Sequence, residues 1–422
     1  MAVRQDEGMR LDVYRTVFRT PQVARLVPAG MIGRAPVGMT SLGLVLLVRH
    51  LGESYATAGL VVAAYAVSTG VTAPLVGRLI DRIGQTRVLL VCGSGCLGAF
   101  GALAAAAQFG WRGLLAPLAA LAGVLIPPLA PCMRALWSTL LGRGPALQAA
   151  FSLEAAGQEL NFIVGPLLVV ALATAASPAV AMLVIGLLAF GGTLWFATSP
   201  ASRAWRGGVR DRTAHWAGAL RGRGVRTLVA AAMAFAVGIG AVEVAVPAVS
   251  EHFGSRALAG PFLAVWSAGS MLGGVVAGAR RPSAAPERRL WLLLGLIAAG
   301  FVPLTFAHQP VLFGAAMTLA GLGIAPGIAC LYLLIDRTAP TGTLTEAFTW
   351  VTCAFTAGIA TGSAVGGALV QHAGPAAAFL VGTATAAVAA LIVRTRRASL
   401  GTAEARAEDQ ITTSATARSP AG

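Results

Sequence analysis

The chain contains no lysine: all 31 of its basic residues are arginine, against 16 acidic ones in 422. Without lysine there is no P-loop ammonium to hold ATP phosphates, so a nucleotide-driven pump of that type is excluded. A retinal or pyridoxal Schiff base is excluded for the same reason. Histidine is scarce, and His50, His215, His252, His308 and His372 all fall outside or at the ends of the long apolar runs. No HExxH helix exists for an intramembrane metalloprotease. Asp81 and Asp336 stand at the edges of apolar runs, so the facing aspartates of an intramembrane aspartyl enzyme are missing. A lipid-linked glycosyltransferase would need acids in a sizeable outer loop, where only Glu53 and Glu251 are available. Neither an enzyme nor a cofactor is expected. The five cysteines, Cys92, Cys96, Cys132, Cys330 and Cys353, all lie in apolar runs, and no disulfide is expected. Cys92 and Cys96 share a helix face with no histidine or acid nearby, which fits small-residue packing better than a metal.

What the chain has instead is apolar length. Hydrophobic residues make up 56% of it, charged ones 11%, and the mean hydropathy is +0.76. A soluble protein would carry about a quarter charged residues. Twelve runs approach or exceed the roughly 18 residues that cross a bilayer as helix: 26–48, 56–76, 88–108, 114–133, 149–173, 178–198, 228–249, 257–279, 290–307, 311–335, 346–371 and 375–393. The runs are continuous, whereas barrel strands alternate, so the fold class is all-α integral membrane protein with twelve transmembrane helices. With the N-terminus inside, 27 of the 31 arginines fall on the cytoplasmic side. The outer side receives Arg49, Arg112 and Arg256, and Arg34 lies within a span. This bias places both termini in the cytoplasm and the chain in the inner, or plasma, membrane as a multi-pass protein. The net charge of +15 then reflects topology and anionic lipid rather than a nucleic-acid partner, since the arginines are dispersed among short loops. Residues 1–25 lack an apolar core, and no cleavable signal peptide is expected.

The sequence also repeats in parallel. A shift of 201 residues lays Ala58-Gly59 on Ala259-Gly260, Tyr65 on Trp266 and Gly77 on Gly278. A shift of 197 lays Phe151 on Phe348, Gly165 on Gly362 and Pro178 on Pro375. Two pseudo-symmetric six-helix halves follow, 26–198 and 228–393, joined by an Arg-rich linker, 199–227. A cytoplasmic segment, 1–25, precedes them, and a tail, 394–422, rich in Ala, Thr, Ser and charge towards its end, reads as disordered. Trp205 and Trp216 in the linker read as interfacial anchors.

Between the second and third runs stands GRLIDRIGQTR, read as a compact charged turn. Its Gly77, Asp81, Arg82, Gly84 and Arg87 resemble the signature loop of the major facilitator superfamily, with Gln85 and Thr86 where basic residues are usual. The second half has lost this pattern, with Pro282 at the position of Asp81. The resemblance implies a secondary transporter that binds a small-molecule substrate, acts as a monomer, and uses the segment as a conformational switch. It further implies that Asp81 docks against the start of the eleventh helix when the cytoplasmic side is closed. Glu346, near that start, would repel Asp81 unless Arg82 or Arg134 intervened.

Charges inside spans cost several kcal/mol unless paired or hydrated, so they are functional candidates. They are Arg34, Glu154, Glu159 and Glu243. Glu154, Gln158, Asn161 and Gly165 share one face of the fifth helix, whereas Glu159 points about 140° from Glu154. Arg34 pairs with Glu154 or Glu159, either structurally or for coupling, and Glu243 is the preferred coupling carboxylate. Gly165-Pro166 resembles the core of an antiporter signature and reads as a hinge. Pro127, Pro128 and Pro131 should kink the fourth helix, where Arg134 lies too near the cytoplasmic end to act as a coupling arginine. The reading is export of a small organic solute against protons. The alternatives are proton-coupled or facilitated uptake, a membrane-embedded sensor or scaffold, and an intramembrane enzyme.

Overall fold

The computed structural model describes residues 12–142, 144–206, 218–255, 258–280 and 285–400, the side chains of Tyr55 and Ala56 excepted. Arg256, Pro282, His215, Trp216 and the tail from residue 401 lie outside the described residues. Helix α1 (Asp12–Arg19) leads into a first span broken into α2 (Val23–Arg34) and α3 (Pro36–His50). Then come α4 (Tyr55–Ile83), α5 (Gln85–Gln108), a fourth span broken into α6 (Leu115–Leu125) and α7 (Leu129–Leu141), α8 (Pro145–Ala175) and α9 (Pro178–Ala197). After the short α10 (Pro200–Ala204) follow α11 (Arg223–His252), α12 (Ala259–Ala279) and α13 (Pro286–Phe306). The tenth span is broken into α14 (Pro310–Gly321) and α15 (Ile324–Thr338), before α16 (Leu344–Ala373) and α17 (Pro375–Thr395). Among the described residues, twelve helical units are long and apolar enough to cross a membrane, one for each apolar run. Because their number is even, α1 and the end of α17 share one face of the bundle, called here the terminal face.

Most spans outrun their apolar segments. A helix in lipid satisfies its backbone internally, so it continues through polar end turns that hydropathy alone leaves out. The second span shows this most clearly and corrects the reading of Gly77–Arg87 as a turn. Gly77, Asp81 and Arg82 are helical in α4, Arg87 is helical in α5, and Gly84 alone separates the two helices. Its φ of 95°, a conformation glycine adopts without a Cβ penalty, reverses the chain in one residue.

Several helices start with proline at the first turn, including α8, α9, α13, α14 and α17, where its missing N–H is no loss. In the fourth span the helix stops at Ile126 and resumes at Leu129, so Pro127 and Pro128 break it outright. Pro166, by contrast, sits inside an unbroken α8.

The parallel repeat is visible in the packing. A Cβ on Gly165 would lie 2.9 Å from the backbone of Gly38 on α3, and one on its repeat mate Gly362 would collide with Val237 on α11. Gly77 presses on Thr349 of α16, while Gly278 presses on Ser152 of α8 and on the Tyr14 hydroxyl. Phe151 and Phe348, also repeat mates, meet each other with centroids 6.0 Å apart, which puts the pseudo-two-fold axis between them.

Two segments outside the spans add to the core, and the one in the linker differs from expectation. Within 1–25, α1 packs its Val17 into the core, and Tyr14 donates to the Val275 carbonyl of α12 at 2.6 Å. Burial pushes the Tyr14 hydroxyl up to about 12, so this donor keeps its proton at physiological pH. Trp205 is not an interfacial anchor: it is buried in the core, with its carbonyl against Gly84.

Candidate functional site

Three groups of polar side chains occupy the space between the halves. The first is a latch at the terminal face. The first N–H groups of a helix have no partner within it, and α16 has no side-chain cap of its own. Asp81, reaching across from α4, supplies one: its Oδ1 accepts from Thr345 N at 3.2 Å and its Oδ2 from Glu346 N at 2.8 Å. The partial positive charge of the helix start favours an anion there. Glu346 is fully buried beside it, and its charge is met by Arg78, whose Nη2 lies 2.7 Å from Oε1. Neither Arg82 nor Arg134 does this: Arg82 is exposed, as is Arg87, and Arg134 serves the second group. Arg78 lies one helical turn before Arg82, on the face that meets α16, a distinction that spacing alone does not make. Gly84 and Gln85 are buried. The Gln85 amide donates to the Cys132 carbonyl at 3.1 Å and accepts from Ser202 at 3.3 Å. A position this enclosed suits an uncharged amide, which accounts for the departure from a basic residue.

The second group is a buried charge cluster. Glu154 Oε1 receives Arg34 Nη1 at 3.1 Å and Arg134 Nε at 2.8 Å, and Oε2 receives Trp137 Nε1 at 3.2 Å. Arg34 Nη2 also donates to Gln158 Oε1. Arg34, Arg134 and Glu154 are 3%, 5% and 4% exposed. Arg134 lies 3.8 Å over the ring of Tyr332 on α15, so the cluster bridges the halves. The pairing of Arg34 left open by the sequence goes to Glu154, not Glu159. Arg134, discounted for its depth, is a full member, because the broken fourth span starts α7 inside the bundle. Its signal in the sequence was the triple proline just before it.

The third group is acidic. Glu159, on the other side of α8, accepts from Ser270 of α12 at 2.8 Å. Glu243 on α11 is half-buried, and the charge of Glu159 acts on it. Neither carboxylate forms an ion pair among the described residues. Asn161 and Gly165 face α3, where Gly38 backs directly onto the Asn161 carbonyl. Gly165 thus permits a close helix crossing, and Pro166 introduces no break.

The halves are also joined by Ser138 to Asp336, Gln148 to the Ala277 carbonyl at 2.9 Å and Cys353 to the Gly70 carbonyl at 3.2 Å. These contacts lie at mid-depth or nearer the terminal face.

Comparison with curated protein sequences finds no match. Solved structures share the fold. The human organic anion transporter MFSD10 (TETRAN) aligns with a TM-score of 0.68 at 15% identity, over 88% of this chain and 99% of that one. A bacterial homologue of the iron transporter ferroportin in its outward-facing state gives 0.69 at 13%, over 88% and 98%. The E. coli fucose:proton symporter gives 0.69 at 13%, over 90% and 99%. At these identities the likeness concerns the fold. The family model of the Major Facilitator Superfamily matches residues 26–352 and 287–420. The twelve-span architecture, the parallel repeat of its halves and that match agree: the chain belongs to the Major Facilitator Superfamily, and it is a transporter rather than an enzyme.

Proposed function

We propose that this protein is a proton-coupled secondary transporter that exports a small organic solute across the plasma membrane. The observation that carries the coupling is the contrast between its carboxylates. Glu154 is held by two arginines, whereas Glu159 accepts from the Ser270 hydroxyl across the halves, Glu243 lies within reach of its charge, and neither meets an arginine among the described residues. A carboxylate whose hydration changes between two states binds a proton in one and releases it in the other. Glu243 lies beyond the midplane of α11, at about 1.5 Å per residue, and Glu159 joins it as a second candidate. Export is supported by the Gly165-Pro166 resemblance. With both termini in the cytoplasm, the latch closes the cytoplasmic side, and this structure corresponds to the outward-open state.

The test is solute flux in proteoliposomes with and without an imposed pH gradient. Wild type is expected to respond to the gradient, and Glu243→Gln to lose that response while keeping downhill exchange. Wild-type flux that ignores the gradient, or a Glu243→Gln variant that follows it fully, would refute the assignment. Orientation has its own check. Reporter fusions at Arg112 should read out on the outer side, and fusions within 199–227 on the cytoplasmic side. Two or four crossings between them, instead of three, would contradict this topology.

A further inference from the structure

The buried cluster is not electrically balanced. It holds two guanidinium groups and one carboxylate, all more than nine-tenths buried. The charged groups that act on Arg34 are Glu154 and Arg134, with Tyr332 beside them, and no second carboxylate contributes. Among the described residues one positive charge is therefore left over in a water-poor site, where an uncompensated charge is costly.

The hydrogen bonds are unbalanced in the same sense. Among the described residues Arg34 Nε is buried without a partner, and so is Asn161 Nδ2. Both are donors, and Asn161 is only 7% exposed. The two belong to one locality. Gln158, which accepts from Arg34, lies three residues before Asn161 on the same face of α8. Gly38, four residues after Arg34, backs onto the Asn161 carbonyl. Arg134 on Tyr332 ties this locality to the second half, so it lies where the two halves must separate and rejoin during transport.

Unpaired donors together with surplus positive charge call for an acceptor that is itself negative. We propose that this cluster anchors the transported solute and that the solute carries a single negative charge, a carboxylate or comparable monoanion, received by Arg34 and the Asn161 amide. A guanidinium matches a carboxylate through parallel N–H bonds, which are among the stronger hydrogen bonds available. This deepens the transport reading and rests on it, since it names the class of solute for the same protein. Glu159 and Glu243 lie elsewhere, so the proton and the anion have separate binding groups. Exchanged in opposite directions, as the export reading has it, they would move net charge across the membrane.

The experiment uses the full chain in detergent, with benzoate as the monoanion, benzamide as its neutral counterpart and benzylammonium as the cation, at constant ionic strength. Binding is read from the rise in melting temperature and from the fluorescence change of the protein's tryptophans. Wild type should bind benzoate about 10-fold more tightly than benzamide, the discrimination one charge-assisted contact provides. Asn161→Ala should weaken benzoate severalfold. Gln158→Glu is the decisive variant: nearly isosteric, it gives Arg34 a second carboxylate and brings the cluster to neutrality. It should melt no lower than wild type and yet lose benzoate binding by at least about 10-fold. Benzoate binding no tighter than that of benzamide or benzylammonium overturns the proposal, as does a Gln158→Glu variant that binds benzoate like wild type. The proton reading is scored separately by Glu243→Gln flux, so either idea can fail while the other stands.

Discussion

Replacing Glu154 with alanine is expected to lower the stability of the protein by about 3–5 kcal/mol, the usual consequence of stranding buried charge by removing its partner. Here the single carboxylate oxygen Oε1 serves both Arg34 and Arg134, so its loss leaves two like charges facing each other. Trp137 Nε1 loses its acceptor as well. Arg34→Met should cost much less, because Arg134 still holds Glu154 and the surplus charge disappears. The structural burden of the Arg34 pair thus falls on Glu154 rather than on Arg34. Thermal melting of the purified variants in one detergent checks the order. If Arg34→Met melts at or below Glu154→Ala, the cluster does not centre on the carboxylate.

The reach of the sequence has physical limits that particular residues make plain. Apolar length and arginine placement are sums over many residues, so the twelve spans emerge although any one boundary is off by several positions. The repeat emerges because glycine is required wherever two backbones approach, and Gly165 with Gly362 mark equivalent crossings. Pairing is different, because it depends on which face of a helix meets which neighbour. Asp81 was legible from its motif, yet the arginine that neutralises Glu346 is Arg78, since the second helix continues straight through what reads as a turn. The depth of Arg134 depends on where α7 restarts after Pro127 and Pro128, which its position in the chain does not give. Gln85 departs from a basic motif, and only its burial, which the motif does not carry, explains the amide there. The strap formed by α1 left almost no trace, because one short helix among charges has too few apolar residues to register.

Asp81→Asn is expected to shift the balance between the two transport states away from the one closed at the terminal face by roughly 10- to 100-fold, while the protein still folds and reaches the membrane. The carboxylate accepts two backbone N–H bonds at the start of α16, through different oxygens. Hydrogen bonds to charged groups contribute about 1.5–3 kcal/mol each, and the helix start adds about 0.3–1 kcal/mol for an anion. An asparagine amide keeps one acceptor and turns an N–H towards the other N–H, so one bond becomes a repulsion. Nothing within either half depends on this contact, which joins α4 to α16 only when the terminal face is closed; the cost therefore falls on that state and not on folding. The Arg78–Glu346 pair remains, so the shift should be partial. Spin labels at Phe109 and Val311, both exposed and at the far ends of α5 and α14 in opposite halves, report the separation of the other face in a background lacking the native cysteines. The long-distance population should fall in Asp81→Asn and recover in Asp81→Glu to the extent that the longer carboxylate regains both bonds. Distance distributions identical to wild type, together with unchanged transport, would reduce Asp81 to one more charge that sets the topology.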